Sequence, residues 1–388
     1  MNKRKICAVV TARPSYSRIK TALKAIQEHP NLELQLVVAG SALLGRYGNA
    51  VNVIEKDGFK IDEKIEILLS SDSAVGTAKS MGLGVLGFAD ALSRLAPDTL
   101  VILGDRFEAL AAAQTAMILR IPVVHLHGGE VTEGAYDDAI RHAITKLSYL
   151  HATSTEEYRQ RVIQLGETPE RVFNVGAIGL DHLNRGCFMS LEGLATSLSF
   201  PLNQPYLVVT YHPVTLADED PVVSFNALLE ALDKYPEVQV ILTYPNADDG
   251  GRRIIPLLEA YAAKQPLRVL AIPSLGQARY LSAIKYASAV VGNSSSGIIE
   301  VPSLDVPTVN IGMRQKGRLA AKSVLDCQAN APEICNALNI ALSRSYKKDD
   351  EIVDNPYGRG DASRQVLSII KNLNFTSVKS FYDMKASK

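Results

Sequence analysis

Residues 121–142 read IPVVHLHGGEVTEGAYDDAIRH and combine the features that decide the fold. The segment begins with a short apolar run, Ile121–Leu126, which is typical of a strand buried in a parallel sheet. The chain then turns at Gly128 and Gly129 and continues through acids and histidines into a helical pattern. Ligands of open α/β sheets bind beyond the carboxyl ends of the strands, so titratable side chains here are candidates for acid–base chemistry. The alternative is a solvated loop whose aspartates begin the next helix.

The same alternation of strand and helix patterns runs through the whole chain and predicts a parallel α/β architecture. In the first half the predicted strands are Ile6–Val10, Leu34–Ala39, Thr99–Leu103, Ile121–Leu126, Leu150–Thr153 and Val172–Val175. Amphipathic patterns between them predict the helices Ile19–Glu28, Ala74–Leu95, Glu108–Leu119 and Asp137–Leu147. In the second half the predicted strands are Tyr206–Thr210, Val238–Leu242, Arg268–Ile272, Ala289–Val291 and Thr308–Asn310, and a last helix is predicted over Ala362–Leu373.

The length of 388 residues exceeds what a single hydrophobic core usually supports, so we expect two domains. We predict a Rossmann-like domain over 1–185 that carries the catalytic side chains, and a second over 205–360 that binds the ligand. A linker is predicted over 186–204, where periodicity is lost and Pro201 and Pro205 occur. The helix and tail over 361–388 are expected to pack back on the first domain. Two doubly wound domains facing a cleft are the expected assembly.

Composition excludes several classes of protein. The chain is 47% hydrophobic and 21% charged, and its 41 basic residues balance 41 acidic ones, so nucleic acid and anionic membranes are not expected partners. The apolar run after Lys5 is too short for a signal peptide, and none approaches the roughly 20 residues of a membrane span. The four cysteines, Cys7, Cys187, Cys327 and Cys335, have neither a disulfide framework nor metal-ligand spacing. A reducing, cytoplasmic location is therefore expected.

A glycine motif in the first half resembles a dinucleotide-binding fingerprint but lacks its context. Residues Gly82–Gly87 match G-x-G-x-x-G, and Asp105 lies downstream. The fingerprint must follow a strand directly, whereas the residues before Gly82 are polar and helical in pattern. We expect these glycines to allow close helix packing, and we expect no nicotinamide or flavin cofactor.

Two predicted strand ends of the first half carry charged residues. Arg13 follows the first strand and precedes Pro14 and Ser15, which suit the start of a helix. An arginine at such a position can bind phosphate through its fork and the helix dipole. Asp105 follows a buried strand and Gly104, where it can serve as an acid, a base or a helix N-cap.

The second half has its own polar strand ends. His212 follows the strand that ends at Thr210 and could bind phosphate or transfer protons, although a lone histidine is more often structural. The segment 292–300, GNSSSGIIE, places three hydroxyls at a strand-to-helix turn, where they can surround diphosphate oxygens. Glu300 is placed to bind a ribose diol, and Arg314, Lys316 and Arg318 supply cationic groups in the following loop.

With these motifs assembled, the chain resembles the hydrolysing branch of the UDP-N-acetylglucosamine 2-epimerases along nearly its whole length. The motifs that carry the resemblance are TARPSYSRIK (11–20), LGDRFE (103–108), HLHGGEVTEGAYDDAIRHAITKLS (125–148), STEEYRQRVIQLGE (154–167), YHPVT (211–215), GNSSSGIIEVPSL (292–304), NIGMRQKGR (310–318) and KSFYD (379–383). The non-hydrolysing epimerases share the architecture, but they have G-T-R-P-E at the start and G-H-R-R-E in place of YHPVT.

The resemblance implies a fold of the glycosyltransferase-B type and a two-step reaction. Elimination of UDP across C1–C2 gives a glycal, and water then adds to give the free 2-epimer. With UDP-GlcNAc the products would be UDP and ManNAc, a sialic acid precursor. A homodimer and no metal are also expected. This chemistry needs carboxylates beside C2 and cationic or N–H groups beside the departing diphosphate.

The resemblance also assigns roles to individual residues. Asp105 and Asp137 match the family's catalytic acids, and Glu130 is a third carboxylate. Many hydrolysing relatives have H-x-E-G-G-E where this chain has HLHGGE, so His127 replaces the first glutamate. Either His127 takes over a proton-transfer role or Glu130 carries it. The residues expected to bind UDP or the sugar are Arg13, Arg141, His212, Ser294, Ser295, Ser296, Gly297, Glu300 and Arg318.

Three alternatives remain at this point. The same chemistry could act on UDP-2,4-diacetamido-2,4,6-trideoxyglucose, as in routes to legionaminic acid. A retaining glycosyltransferase would share the fold and the UDP cleft but would leave C2 protons unexchanged. A UDP-sugar-binding regulator would bind tightly without turnover.

Overall fold

The protein was analysed as a computed structural model, which describes residues 3–45, 50–70, 73–131, 136–183, 188–213, 220–245, 251–343, 355–375 and 378–384, with the backbone alone at 251–252. The chain forms two compact units. Unit 1 comprises Met1–His182 and Tyr357–Lys388, and unit 2 comprises Leu183–Pro356. Cys187, part of the predicted cysteine pattern, lies outside the described residues, and Cys7, Cys327 and Cys335 are free thiols.

Unit 1 is built on a seven-stranded parallel sheet. Its strands are β1 (Arg4–Val10), β2 (Leu32–Ala39), β3 (Glu63–Ile65), β4 (Thr99–Leu103), β5 (Val123–Leu126), β6 (Leu150–Thr153) and β7 (Val172–Asn174). They lie in the order β3-β2-β1-β4-β5-β6-β7. The helices are α1 (Arg13–Glu28), α2 (Ala50–Lys56), α3 (Ala74–Leu95), α4 (Phe107–Ile118), α5 (Tyr136–Leu147), α6 (Glu156–Gln164) and α13 (Ala362–Lys371).

Unit 2 repeats this topology with six parallel strands. They are β8 (Tyr206–Thr210), β9 (Gln239–Thr243), β10 (Val269–Ile272), β11 (Ala289–Gly292), β12 (Thr308–Ile311) and β13 (Val324–Cys327), in the order β10-β9-β8-β11-β12-β13. The helices are α7 (Leu191–Leu198), α8 (Pro221–Leu232), α9 (Gly251–Lys264), α10 (Gly276–Tyr286), α11 (Ser295–Ile299) and α12 (Ala331–Leu342). The predicted fold of two Rossmann-like units is therefore confirmed.

Strand order determines where a ligand can bind in each unit. In unit 1 the chain reverses its direction of sheet growth between β1 and β4, which pair through Ile6–Ala8 and Thr99–Val101. In unit 2 the same reversal occurs between β8 and β11. Each reversal leaves a crevice at the carboxyl ends of the two strands. The residues that follow these strands are therefore the first place to look for a site.

The helices are held to the sheets by apolar faces that the sequence periodicity predicts. In α1, Tyr16, Ile19, Leu23 and Ile26 are all buried, and α13 packs Val366 and Ile370 into the same core. The carboxylate of Asp181 accepts hydrogen bonds from the backbone N–H groups of Ala362 (2.9 Å) and Ser363 (2.5 Å) and so caps α13. The C-terminal helix thus belongs to unit 1.

The structure differs from the sequence prediction in several places, of which three affect the architecture. The predicted linker over 186–204 contains α7, whose Leu194 and Leu198 are buried in the core of unit 2, so it is not an irregular connection. The strands β3 and β13 were missed, because they are short edge strands with few buried residues. The helix α1 begins at Arg13 rather than Ile19, with Pro14 in its first turn.

The glycine-rich motif lies inside α3, as its helical pattern predicts. A Cβ added at Gly84 would lie 3.1 Å from the Cβ of Ala111 on α4, and a Cβ at Gly87 would collide with Ile65. These two glycines therefore permit close packing of α3, and they do not form a phosphate-binding turn. Among helices in the described part of the chain, none is long and apolar enough to cross a membrane.

Candidate active site

The carboxyl end of β4 and the first turn of α5 place two aspartates, Asp105 and Asp138, around one arginine. Arg141 is 2% exposed, and its Nη2 is ion-paired with the carboxylate of Asp105. Its Nη1 donates to the backbone carbonyl of Glu130 at 2.7 Å and lies 3.5 Å from Asp138 Oδ1. These bonds fix the guanidinium beside Asp105. The expectation that Arg141 also binds the substrate stays a prediction.

Asp137 differs from Asp105 in its electrostatic environment. Burial and the nearby charge of Asp105 raise the pKa of Asp137 to about 6, although Arg106 and Arg141 act in the opposite direction. A carboxyl group with a pKa near neutrality can both accept and return a proton at working pH. Asp137 thus has a raised pKa next to the charge of Asp105, and a carboxyl group in such a place is suited to acid–base catalysis.

His127 and Glu130 form a buried pair behind these acids. The Nδ1 of His127 lies 2.6 Å from Glu130 Oε1, and the backbone N–H of Ile178 donates to His127 Nε2 at 3.3 Å. Since Nε2 accepts, Nδ1 carries the hydrogen and donates to the carboxylate. Ser154 Oγ donates to the same Glu130 oxygen at 2.9 Å. Both ring nitrogens of His127 are thus engaged, and Glu130, which is 5% exposed, is held in place by two donors.

The backbone at His127 supports a structural role for this residue. His127 has φ +65°, a left-handed conformation that costs free energy for a side chain with a Cβ. The adjoining Gly129 has φ +81°, and a Cβ there would collide with the carbonyl of Tyr158. This tight turn brings the Glu130 carbonyl to Arg141. The loop between β5 and α5 therefore orients the arginine that holds Asp105.

Two residues that the sequence analysis did not single out complete the charged end of unit 1. Arg106 makes a bidentate ion pair with the fully buried Glu108, at 3.0 and 2.9 Å. This pair anchors a second guanidinium close enough to lower the pKa of Asp137. The motif D-R-F-E directly after a buried strand could have indicated both residues, since charges there need buried partners.

Two further polar residues of the first half lie near the strand ends of unit 1. His125, on β5, lies 2.8 Å from the Gly104 carbonyl through Nε2, and burial lowers the pKa of His125 to about 3. It is therefore neutral and ties β5 to the end of β4. Arg13 is half-buried in the first turn of α1, directly beyond β1 and at the reversal point of the sheet. Its contact with phosphate stays a prediction.

Unit 2 has a site of a different character at the ends of β8 and β11. The side chain of Asn293 is fully buried, accepts from the backbone N–H of His212 (2.7 Å) and donates to its carbonyl (2.8 Å). Gly292 has φ +133°, and a Cβ there would collide with the Thr210 carbonyl, so the two strand ends approach closely. Burial and Arg314 lower the pKa of His212 to about 3, which makes it a neutral group.

The three predicted serines lie together at the start of α11. Ser294 accepts weakly from the backbone N–H of Ser296 at 3.4 Å, and the Ser296 hydroxyl donates to Glu300. Gly297 is close-packed, because a Cβ there would lie 2.8 Å from Thr308 Cγ2. Ser295, the middle hydroxyl, is half-buried. Because Gly297 has no side chain, α11 packs closely against β12, and the three serines lie together at the carboxyl end of β11.

The loop after β12 brings the predicted cations to the same end of unit 2. Arg314 Nη1 donates to the Asn293 carbonyl at 3.0 Å, and Gln315 Nε2 donates to the same oxygen at 2.9 Å. A cavity of about 330 Å³ beside this loop is lined by Ile298, Asn310, Gln315, Lys316 and Arg318, among others. Asn293 therefore organises the site by joining three segments, although the sequence analysis assigned it no role. Its signal was the unbroken polar run after a buried strand.

The two strand ends can support different chemistry. Unit 1 offers neighbouring carboxyl groups, one of them Asp137 with a raised pKa, whereas unit 2 offers hydroxyl, amide and cationic groups suited to an anionic ligand. Among the described residues, no group of three or more histidine, cysteine, aspartate or glutamate side chains is arranged to hold a metal ion.

Comparison with known proteins places these residues in a family. Residues 24–371 match the model of the family described as UDP-N-acetylglucosamine 2-epimerase. A Campylobacter jejuni protein named GDP/UDP-N,N'-diacetylbacillosamine 2-epimerase (hydrolyzing) is 38% identical over 99% of this chain and 100% of its own length. The Escherichia coli polysialic acid biosynthesis protein P7 is 36% identical over 98% of each chain. A Legionella pneumophila UDP-N,N'-diacetylbacillosamine 2-epimerase (hydrolyzing) is 34% identical over 95% and 96%.

Solved structures share the fold at lower sequence identity. The Neisseria meningitidis UDP-GlcNAc 2-epimerase, determined with UDP-GlcNAc bound, has a TM-score of 0.81 and 18% identity, covering 95% of this chain and 100% of that one. A Listeria monocytogenes structure titled as a UDP-N-acetylglucosamine 2-epimerase has a TM-score of 0.80 and 17% identity, covering 96% of each chain. These structures support the two-unit fold of the glycosyltransferase-B type.

Proposed function

The chain belongs to the UDP-N-acetylglucosamine 2-epimerase family, and we propose that it is a hydrolysing 2-epimerase of a UDP-activated 2-acetamido sugar. The observation that carries this proposal is the pair Asp105 and Asp137, held beside Arg141 at a strand end of unit 1. Relatives named as hydrolysing epimerases match the chain over nearly its whole length, which supports the same chemistry here.

The first step of the proposed reaction is an elimination. The C2–H and C1–O bonds of the sugar break, a C1=C2 double bond forms, and UDP leaves with the electrons of the C1–O bond. Asp137 accepts the C2 proton, because the pKa of about 6 leaves it ionised and basic at neutral pH. The negative charge of Asp105, held by Arg141, increases this basicity.

The second step adds water to the glycal. A hydroxyl group bonds to C1, a proton returns to C2 from the opposite face, and the free 2-epimer is released. Asp137, whose pKa of about 6 lies near neutrality, is one candidate for proton return, and its neighbour Asp105 is the other. Glu130 and His127 are assigned to the support of Arg141, since each is occupied by buried hydrogen bonds.

UDP is assigned to the polar strand ends. The hydroxyls of Ser294 and Ser295 can donate to diphosphate oxygens, and neutral His212 can add a further hydrogen bond. Ser296 donates its hydroxyl hydrogen to Glu300 and would contact UDP only after breaking that bond. Glu300 is assigned to the ribose diol, and Arg318 supplies positive charge at this end of unit 2. Arg13 is a separate candidate for a phosphate contact at the strand end of unit 1. The backbone at Gly297 completes this set.

Two sugars are candidates for the substrate. The relatives at 38% and 34% identity are named for N,N'-diacetylbacillosamine, which favours that 2,4-diacetamido sugar. UDP-GlcNAc, which the sequence motifs favoured, is supported by a Neisseria meningitidis relative named for it at 30% identity over 98% of this chain. ManNAc as product, the homodimer and the cytoplasmic location stay predictions.

One assay tests the reaction and the sugar together. Each UDP-sugar is incubated with the protein in heavy water, and free UDP, free sugar and deuterium at C2 are measured. We expect equal amounts of UDP and a free 2-epimer labelled at C2, with faster turnover of the diacetamido sugar. A UDP-linked epimer as the final product would indicate the non-hydrolysing reaction. Sugar transfer without label would indicate a glycosyltransferase, and binding without turnover would indicate a regulator.

A further inference from the structure

The C-terminal tail of unit 1 contacts the end of α5 opposite to the catalytic residues. Lys379 is 22% exposed in its side chain, and its Nζ donates to the carbonyls of Lys146 (3.0 Å) and Ser148 (2.6 Å). The same ammonium lies 2.7 Å from Glu167 Oε2. All three ammonium hydrogens therefore have acceptors. Two of those acceptors are carbonyls at the C-terminus of α5, where helices lack internal donors and favour a positive charge.

Glu167 makes this contact a closed network. Its side chain is fully buried, and it also accepts from Lys146 Nζ (2.6 Å) and lies 2.9 Å from His151 Nε2. Burial opposes ionisation, but the hydrogen bonds from His151, Lys146 and Lys379 lower the pKa of Glu167 to about 2. Burial lowers the pKa of His151, so it donates as a neutral group. A buried carboxylate held in this way is costly to leave unpaired.

The tail beyond Lys379 is anchored to the same loop. The backbone N–H of Tyr382 donates to the Gly166 carbonyl at 2.9 Å, and the ring of Phe381 covers Gly166 so closely that a Cβ there would collide. Gly166 has φ +88°, and Lys146 Nζ lies 5.0 Å from the centre of the Phe381 ring. Residues 378–384 thus cross the end of α5 as a strap.

We propose that Lys379 is a positioning residue, which holds α5 so that Asp137 and Arg141 keep their places at the other end of the helix. The inference rests on the proposed function for its catalytic consequence. The helix spans twelve residues, and its backbone hydrogen bonds join each turn to the next, so we expect a shift at Lys146 to reach its first turn. The strap therefore belongs to the catalytic unit, although it touches no reacting group.

The test compares Lys379→Met, which removes the charge, with Lys379→Arg, which keeps it. We expect Lys379→Met to lower kcat about tenfold while the UDP dissociation constant stays within about twofold, since small misplacement of a positioned group costs up to about 100-fold. Lys379→Arg should recover most of the loss. Lys371→Met, an exposed change at the end of α13, is the matched control and should behave as wild type.

Two further measurements separate positioning from a general loss of stability. Hydrogen exchange of the α5 amides should accelerate in Lys379→Met, while exchange in α12 of unit 2 stays unchanged. The limb of the pH–rate profile that reports Asp137 should move to lower pH, because water reaching a loosened helix favours its ionised form. Phe381→Ala, which weakens the strap from its exposed side, should show the same changes to a smaller extent.

Several results would overturn the proposal. If Lys379→Met has the wild-type kcat and the wild-type hydrogen-exchange rates in α5, the strap does not hold α5 in place. A loss of kcat that follows the unfolded fraction, with no recovery in Lys379→Arg, would reduce the lysine to a general stabiliser. Failure of the wild-type protein to release UDP would remove the proposed function, but the exchange comparison would still decide whether the strap holds α5.

Discussion

The strand ends of units 1 and 2 share one topology and differ in chemistry. In both sheets the chain reverses the direction in which it adds strands, between β1 and β4 in unit 1 and between β8 and β11 in unit 2. In unit 1 that edge holds Asp105 and Asp137 close enough to shift a pKa. In unit 2 it holds buried amide, hydroxyl and neutral imidazole groups. The fold therefore determines where a ligand lies. The side chains determine whether the carboxyl ends of the strands transfer protons or bind an anionic group.

The largest effect that tests this comparison is expected from Asp137→Asn. The substitution should lower kcat by about 100-fold or more and leave UDP affinity near that of the wild type, because it removes a proton-transfer group and no nucleotide contact. Steady-state kinetics and UDP calorimetry measure the two quantities. Asp90→Asn, an exposed change on α3, is the control. Full activity in Asp137→Asn would remove proton transfer from unit 1.

A smaller and complementary effect is expected from Ser294→Ala. Loss of one hydrogen bond to a charged group typically costs about 1.5–3 kcal/mol, so UDP affinity should fall by roughly 10- to 150-fold. Calorimetry with UDP checks this. Ser274→Ala is the matched control, since Ser274 Oγ caps Gly276 at 3.2 Å at the start of α10 in the same unit. Equal UDP affinity in both variants would contradict the assignment of diphosphate to α11.

The smallest effect concerns the position of a pH limb rather than the size of a rate. Burial and the charge of Asp105 raise the pKa of Asp137 to about 6. The value of kcat/KM should therefore increase as the pH rises through about 6 and Asp137 loses its proton. Asp105→Asn removes the repelling charge, which lowers the pKa of Asp137 and moves the limb down by about one pH unit. The pH profile of kcat/KM measures this shift, and Asp90→Asn should leave the limb in place. A limb that stays or moves upward would mean that the two acids are not coupled.

Most of the fold could be predicted because its signals are local. Apolar runs such as Thr99–Leu103 and Tyr206–Thr210 correspond to strands with the predicted limits, and α5 differs from its prediction by one residue. The edge strands β3 and β13 were not predicted, because their half-buried residues do not form a continuous apolar run in the sequence. Helix α7 was not predicted, because Pro201 and Pro205, which follow it, suggested a linker.

The sequence indicated several residues that the structure brings together at the strand ends, but it did not indicate their partners. His127 and Glu130 stand three residues apart in a polar loop, and either could have been a proton carrier from sequence. Their hydrogen bonds to each other, to Ser154 and to Ile178 engage both side chains. Ser154 lies 24 residues from Glu130, and Ile178 lies 51 residues from His127, so no local pattern could indicate these two partners.

The sequence by itself determined the two α/β units, the family and the strand ends where polar residues gather, because periodicity and motifs are properties of neighbouring residues. Only the tertiary structure decided which carboxyl group titrates near neutrality, which histidines are neutral, and that Asn293 and Arg141 organise the two strand ends. A pKa depends on burial and on charges brought from distant parts of the chain. Those distances exist only once the sheet has formed.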